Sequence, residues 1–164
     1  MENTVQEFRV VQVADVNVRE PENVIACLSG MAKVSFDADF VKYFLQSDIV
    51  PTGGQIRITF YSTGKHRSDK EIKGHFEKKI AFDASQFVSL LCAVLNYQLD
   101  PKSTQKCLSN SGRAVCFVVS DKDNEKEYTV TVAFKPFPLL EWRVRVFEEG
   151  EYRWRTNDWL VVPG

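Results

Sequence analysis

Alternation of apolar and polar positions dominates this chain. Period-two runs rich in Val, Ile, Phe, Tyr and Thr, separated by turn residues, predict strands near 7–14, 23–35, 54–62, 71–81, 113–120, 127–134, 141–147 and 151–156, with a short further strand at 159–162. Branched and aromatic side chains suit the pleated, half-buried surface of a sheet. One segment breaks the alternation: Phe87 to Leu95 is apolar nearly all round, which predicts a buried helix rather than an amphipathic one. Asp83 stands as its N-cap with Gln86 as capping-box partner, and Phe82 and Phe87 are spaced as a hydrophobic staple. A second, shorter helix is predicted from Asp37 through Leu45.

The two helices share a lead-in. Lys33-Val-Ser-Phe-Asp-Ala-Asp-Phe-Val41 parallels Lys79-Ile-Ala-Phe-Asp-Ala-Ser-Gln-Phe-Val88, and each is followed, after a polar or glycine-containing linker, by a strand. Two explanations fit: a degenerate internal duplication with a period of roughly fifty residues, or the local preference of strand-to-helix turns for Phe-Asp-Ala. The breaks between elements are short and none is low in complexity, so residues 1–164 read as one domain. The fold expected is α+β: a mostly antiparallel, twisted sheet of seven or eight strands curled around one buried helix, with a second short helix and a weak duplication.

Composition narrows the picture. With 44% hydrophobic and 12% aromatic residues in 164, the chain can bury an adequate core. Its formal net charge of −1 argues against a protein that coats polyanions broadly, so any basic surface must be local. Acids concentrate in the first fifty residues. Cys27, Cys92, Cys107 and Cys116 show neither disulfide-scaffold nor metal-ligand spacing, and the first residues lack a positive and apolar leader. No run approaches a membrane span. A reducing compartment, cytoplasmic or nuclear, is expected, with no membrane association.

No motif for catalysis, cofactor or metal binding survives inspection. Ser62-Thr-Gly-Lys65 lacks the spacing of a phosphate-binding loop, and Asp121-Lys-Asp-Asn-Glu125 lacks the glycine and closing glutamate of a calcium loop. The expectation is a protein that is not an enzyme and carries no cofactor.

What remains is charge interleaved with aromatics. Arg143, Arg145, Arg153 and Arg155 occupy alternate positions of a predicted C-terminal β-hairpin, with Glu148-Glu149-Gly150 as its turn. In that register Trp142, Val144, Val146, Tyr152 and Trp154 share one face, and the arginines share the other with Phe147 and Glu151. Arg145 would then oppose Arg153, and Arg143 oppose Arg155, an arrangement that like charges disfavour unless an anion lies over them. Guanidinium suits that task, being a planar donor fork that grips phosphate and stacks on bases. A second basic stretch, Lys65 to Lys79, contributes Lys65, Arg67, Lys70 and Lys73 beside Phe60, Tyr61 and Phe76. Each feature also has a plain structural explanation. Glu141, Glu148, Glu149, Glu151 and Asp158 could neutralise the arginines, the lysines could guard a sheet edge, and at least two of Trp142, Trp154 and Trp159 belong to the core.

The function these patterns favour is binding of single-stranded DNA or RNA, with those eight basic residues on phosphate. The alternative is an interaction module or inhibitor whose arginine face docks on an acidic partner protein. The 141–156 hairpin is also the edge through which a homodimer is expected to form.

Overall fold

A computed structural model describes residues 8–18, 20–64, 68–76, 79–108, 111–121, 125–138 and 140–164. In chain order the elements are β1 (Arg9–Val18), α1 (Val24–Ser29), β2 (Val34–Phe36), α2 (Ala38–Phe40), β3 (Gly54–Ser62), α3 (Asp69–His75), β4 (Ala81–Asp83), α4 (Ala84–Leu99), β5 (Val115–Asp121), β6 (Lys126–Lys135), β7 (Glu141–Glu148) and β8 (Trp159–Pro163). A single 3₁₀ turn, Pro21–Asn23, leads into α1, and a wide turn, Val41–Leu45, extends α2.

The eight strands form one open sheet in the order β1-β3-β8-β5-β6-β7-β2, with β4 alongside β5. It is mixed rather than purely antiparallel: β2–β7, β4–β5 and β5–β8 run parallel over short stretches, while the longer β1–β3, β3–β8, β5–β6 and β6–β7 pairings are antiparallel. Parallel pairing needs crossover connections: α4 supplies the one from β4 to β5, whereas β5 reaches β8 through β6, β7 and the segment after Gly150. On one edge of β5, β8 covers Val115 to Phe117 and β4 covers Val118 to Ser120.

Alternation then sorts side chains between the two faces. Val115, Phe117 and Val119 of β5, Val130 and Val132 of β6, and Trp142, Val144 and Val146 of β7 join the main core with Phe87, Leu90, Leu91, Val94 and Leu95 of α4. Helix α4 is buried as its composition predicts. Asp83 is its N-cap residue, but the expected capping bond and the box with Gln86 do not form; the Asp83 carboxylate pairs with Lys79 instead. The opposite face carries a smaller core of Cys116, Val118, Leu160 and Val162 under Ile72 and Trp154.

The predicted strands at 23–35 and 71–81 are corrected. The first segment holds α1, stopped at Gly30, and only Val34–Phe36 is a strand. The second holds α3, whose Ser68 side chain accepts from the Glu71 amide while the Glu71 carboxylate accepts from Ser68, a reciprocal capping box. Each shared lead-in forms a three-residue strand in parallel pairing followed by a helix with aspartate at its N-cap. Strand β2 pairs with β7 at the end of the sheet and β4 with β5 in its middle, so the two copies sit in different surroundings.

The 141–156 hairpin does not form either. Gly150 takes the positive φ expected of its turn, at 84°. Beyond it, residues 152–155 leave the sheet, because both sides of β7 already have neighbours: β6 along its length and β2 at Trp142 to Val144. The edge expected to pair with a second copy is therefore covered there by β2.

Asp37 extends that cover. One carboxylate oxygen accepts from Phe40 N at 2.8 Å, capping α2, and the other accepts from Val146 N at 3.0 Å, beyond the end of β2. Asp37→Ala would uncap a helix and orphan a strand amide, so it is expected to cost about 2 kcal/mol. A lower urea midpoint with an unchanged slope would show it.

Candidate nucleic-acid interface

On β7 the outward positions are Arg143, Arg145 and Phe147, as the alternation predicts, but their neighbours are not arginines. Arg143 lies across from Ala133 of β6 and Arg145 across from Thr131. Small side chains at those positions, with Ala114 beyond them, leave a trough between strands. The chain after Gly150 forms its far wall, and Ser111 to Arg113 close one end. The resulting groove encloses about 450 Å³ and is lined by Arg113, Lys135, Arg143, Arg145 and Arg155. Asp158 is the one acid among its lining residues.

The arginines are mostly uncommitted. Arg143 Nε donates to Glu141 at 3.2 Å. No ion pair to another described residue engages Arg145, Arg153 or Arg155. Arg145 instead lies 5.1 Å from the Phe147 ring centre, and the Phe147 and Tyr152 rings pack 4.9 Å apart as an aromatic wall. Arg113 lies 4.9 Å over the Trp159 ring, and its buried Nε has no hydrogen-bond partner among the described residues. The sequence reading missed Arg113 and Lys135. Arg113 precedes β5 and Lys135 ends β6, so neither belongs to a basic cluster in the chain, and only strand order brings them beside β7.

The far wall is pinned from beneath. Asp158, 3% exposed, accepts from the Tyr152 hydroxyl at 2.7 Å and from the Arg155 amide at 2.8 Å through one oxygen. Its backbone carbonyl accepts from Thr63 N at 3.0 Å. Trp154 turns inward rather than joining Trp142, and its indole donates to Asp69 at 2.7 Å. Trp142 and Trp154 are thus core residues, while Trp159 is half-buried.

The remaining predicted contacts disperse. Arg153 faces a separate depression that it shares with Lys70 on the other side of Tyr152. Lys73 is committed to Glu127 and Glu149. Burial opposes the Lys73 charge, but those two carboxylates outweigh it and its pKa rises. Lys65 and Arg67 lie outside the described residues.

Several groups near the groove and core hold protons tightly. Burial pushes the Cys116 thiol up, and Asp158 adds to this. Burial first, then Cys116 and Asp158, push the Tyr152 phenol up. Burial also raises Cys107, and raises Cys92 to about 12. Each group keeps its proton in the folded chain after the unfolded chain has released it. Their stabilisation is complete below the ordinary values of 9.0 for thiols and 10.0 for phenols, and is lost as pH climbs toward the raised ones. Stability is accordingly expected to fall from about pH 9 upward, at up to about 1.4 kcal/mol per pH unit for each group. Urea denaturation on either side of the thiol range checks this.

Among the described residues, no helix is long and apolar enough to cross a membrane. No protein-family model matches this chain, and neither a curated protein nor a solved structure matches it significantly.

Proposed function

We propose that the chain is a non-enzymatic module that binds single-stranded DNA or RNA in the arginine-lined groove. One observation carries the reading: five cationic side chains converge on a trough with a single acid, although the chain as a whole has a net charge of −1. Cations held together against their mutual repulsion are stabilised when phosphates neutralise them. The Phe147 and Tyr152 wall offers a surface on which an unpaired base can stack. Beyond Tyr152, Arg153 and Lys70 border a second depression in which Asp69 and Glu71 balance their charge, so the basic path ends at the groove. A stiff duplex would bridge the rims of such a trough, whereas a single strand can settle into it.

Fluorescence anisotropy with labelled single-stranded DNA, single-stranded RNA and a duplex, across a salt series, tests the reading. Four or five phosphate contacts predict a log-log salt slope of about −3 for single strands. Micromolar or tighter binding at low salt is expected, weaker for the duplex. Absence of binding at low salt would overturn the proposal. Binding of polyglutamate with equal strength would instead favour an acidic protein as the occupant.

A further inference from the structure

Cys27 on α1 and Cys92 on α4 are far apart in sequence and meet on the helical side of the sheet. Asn96, one turn beyond Cys92, ties them together: its Nδ2 lies 3.5 Å from the Cys27 sulfur and 3.6 Å from the Cys92 sulfur. Their access to solvent differs. Cys27 is half-buried, Cys92 is 6% exposed, and a cavity of about 390 Å³ lined by Ser89, Cys92, Asn96 and Tyr97 opens beside Cys92. Cys107 and Cys116 have no thiol neighbour of this kind among the described residues, and all four cysteines are free.

We infer that Cys27 and Cys92 form a peroxide-responsive dithiol, in which Cys27 is oxidised first and Cys92 resolves it to a disulfide joining α1 to α4. In the first step the Cys27 sulfur attacks a hydrogen peroxide oxygen; the O–O bond breaks, Cys27 becomes a sulfenic acid and water leaves. In the second, the Cys92 sulfur attacks the Cys27 sulfur; the S–S bond forms and a second water carries off the hydroxyl and the Cys92 proton. Two thiols are oxidised and one peroxide is reduced. A half-buried thiol beside a more deeply buried resolving one is an arrangement such sensors use, and in a reducing compartment the bond reverts. This inference does not depend on the groove.

The test exposes the intact protein to hydrogen peroxide, labels the remaining thiols with maleimide after unfolding, and maps the peptides. The expected result is a drop from four labelled cysteines to two, a mass lower by two hydrogens, a Cys27–Cys92 linkage and full reversal by dithiothreitol. In Cys92→Ser the Cys27 sulfenic acid should be trapped by dimedone, and Cys27→Ser should form neither product, with circular dichroism confirming both folds. Four labelled thiols in the treated wild-type protein, or a linkage through Cys107, Cys116 or another chain, would overturn the inference. The wild-type map decides even where a variant fails to fold.

Discussion

Changing Arg143, Arg145 and Arg155 together to alanine is expected to weaken single-strand binding about a hundredfold, on the basis of about 1 kcal/mol for each exposed guanidinium-phosphate contact. The salt slope should become shallower by about 2, because each lost contact releases about 0.7 fewer counterions. Stability should barely change, since Arg145 and Arg155 are exposed and Arg143 gives up only one half-exposed pair with Glu141. Arg57→Ala is the matched control. It removes an exposed arginine bound by two bonds to Asp15 and absent from the groove lining, and it should leave binding within about twofold. Lys73→Ala should likewise leave the salt slope intact, because Glu127 and Glu149 already occupy that charge. Equal loss of binding in all three variants would mean that overall charge, and not the groove, holds the ligand.

The second large effect concerns the wall. Asp158→Ala removes the acceptor for both the Tyr152 hydroxyl and the Arg155 amide, and is expected to destabilise the fold by about 3 kcal/mol. The segment carrying Arg155 would come loose, and binding should weaken with it. Asp158→Asn separates two roles of the same residue. It keeps an acceptor oxygen in place while removing the one acid of the groove lining, so it should cost less stability and bind a few-fold tighter. Urea denaturation and anisotropy on both variants check this. Tighter binding by the alanine variant would show that Asp158 acts only through its charge and that the wall does not position Arg155.

The local chemistry of the chain was legible where neighbours in sequence decide it. The alternation of β7 placed Trp142, Val144 and Val146 inward and Arg143, Arg145 and Phe147 outward, and the all-round apolar run marked α4 as buried. The capping box of Ser68 and Glu71 was equally present in the sequence. It was obscured by the charge around it, so a helix was read as a strand. Pro21 ahead of Val24 and Leu28, with Gly30 as a stop, was likewise a short-helix signal overlooked in a run rich in branched residues.

By itself, then, the sequence determined which faces of its strands are apolar, where the long helix begins, and that four arginines near the C-terminus alternate. Tertiary structure decided who faces them. A hairpin is the nearest partner along the chain, but the register it imposes sets arginine against arginine. The sheet offers β6, whose Thr131 and Ala133 fit beneath the guanidiniums without repulsion. Trp154 then gains a buried site with a bond to Asp69, and Asp158 secures the return of the chain. Arg113 and Lys135 reach the groove only through that strand order. Pairing between distant strands depends on long-range packing and loop closure, which no local pattern encodes, whereas side-chain alternation is a property of each strand alone.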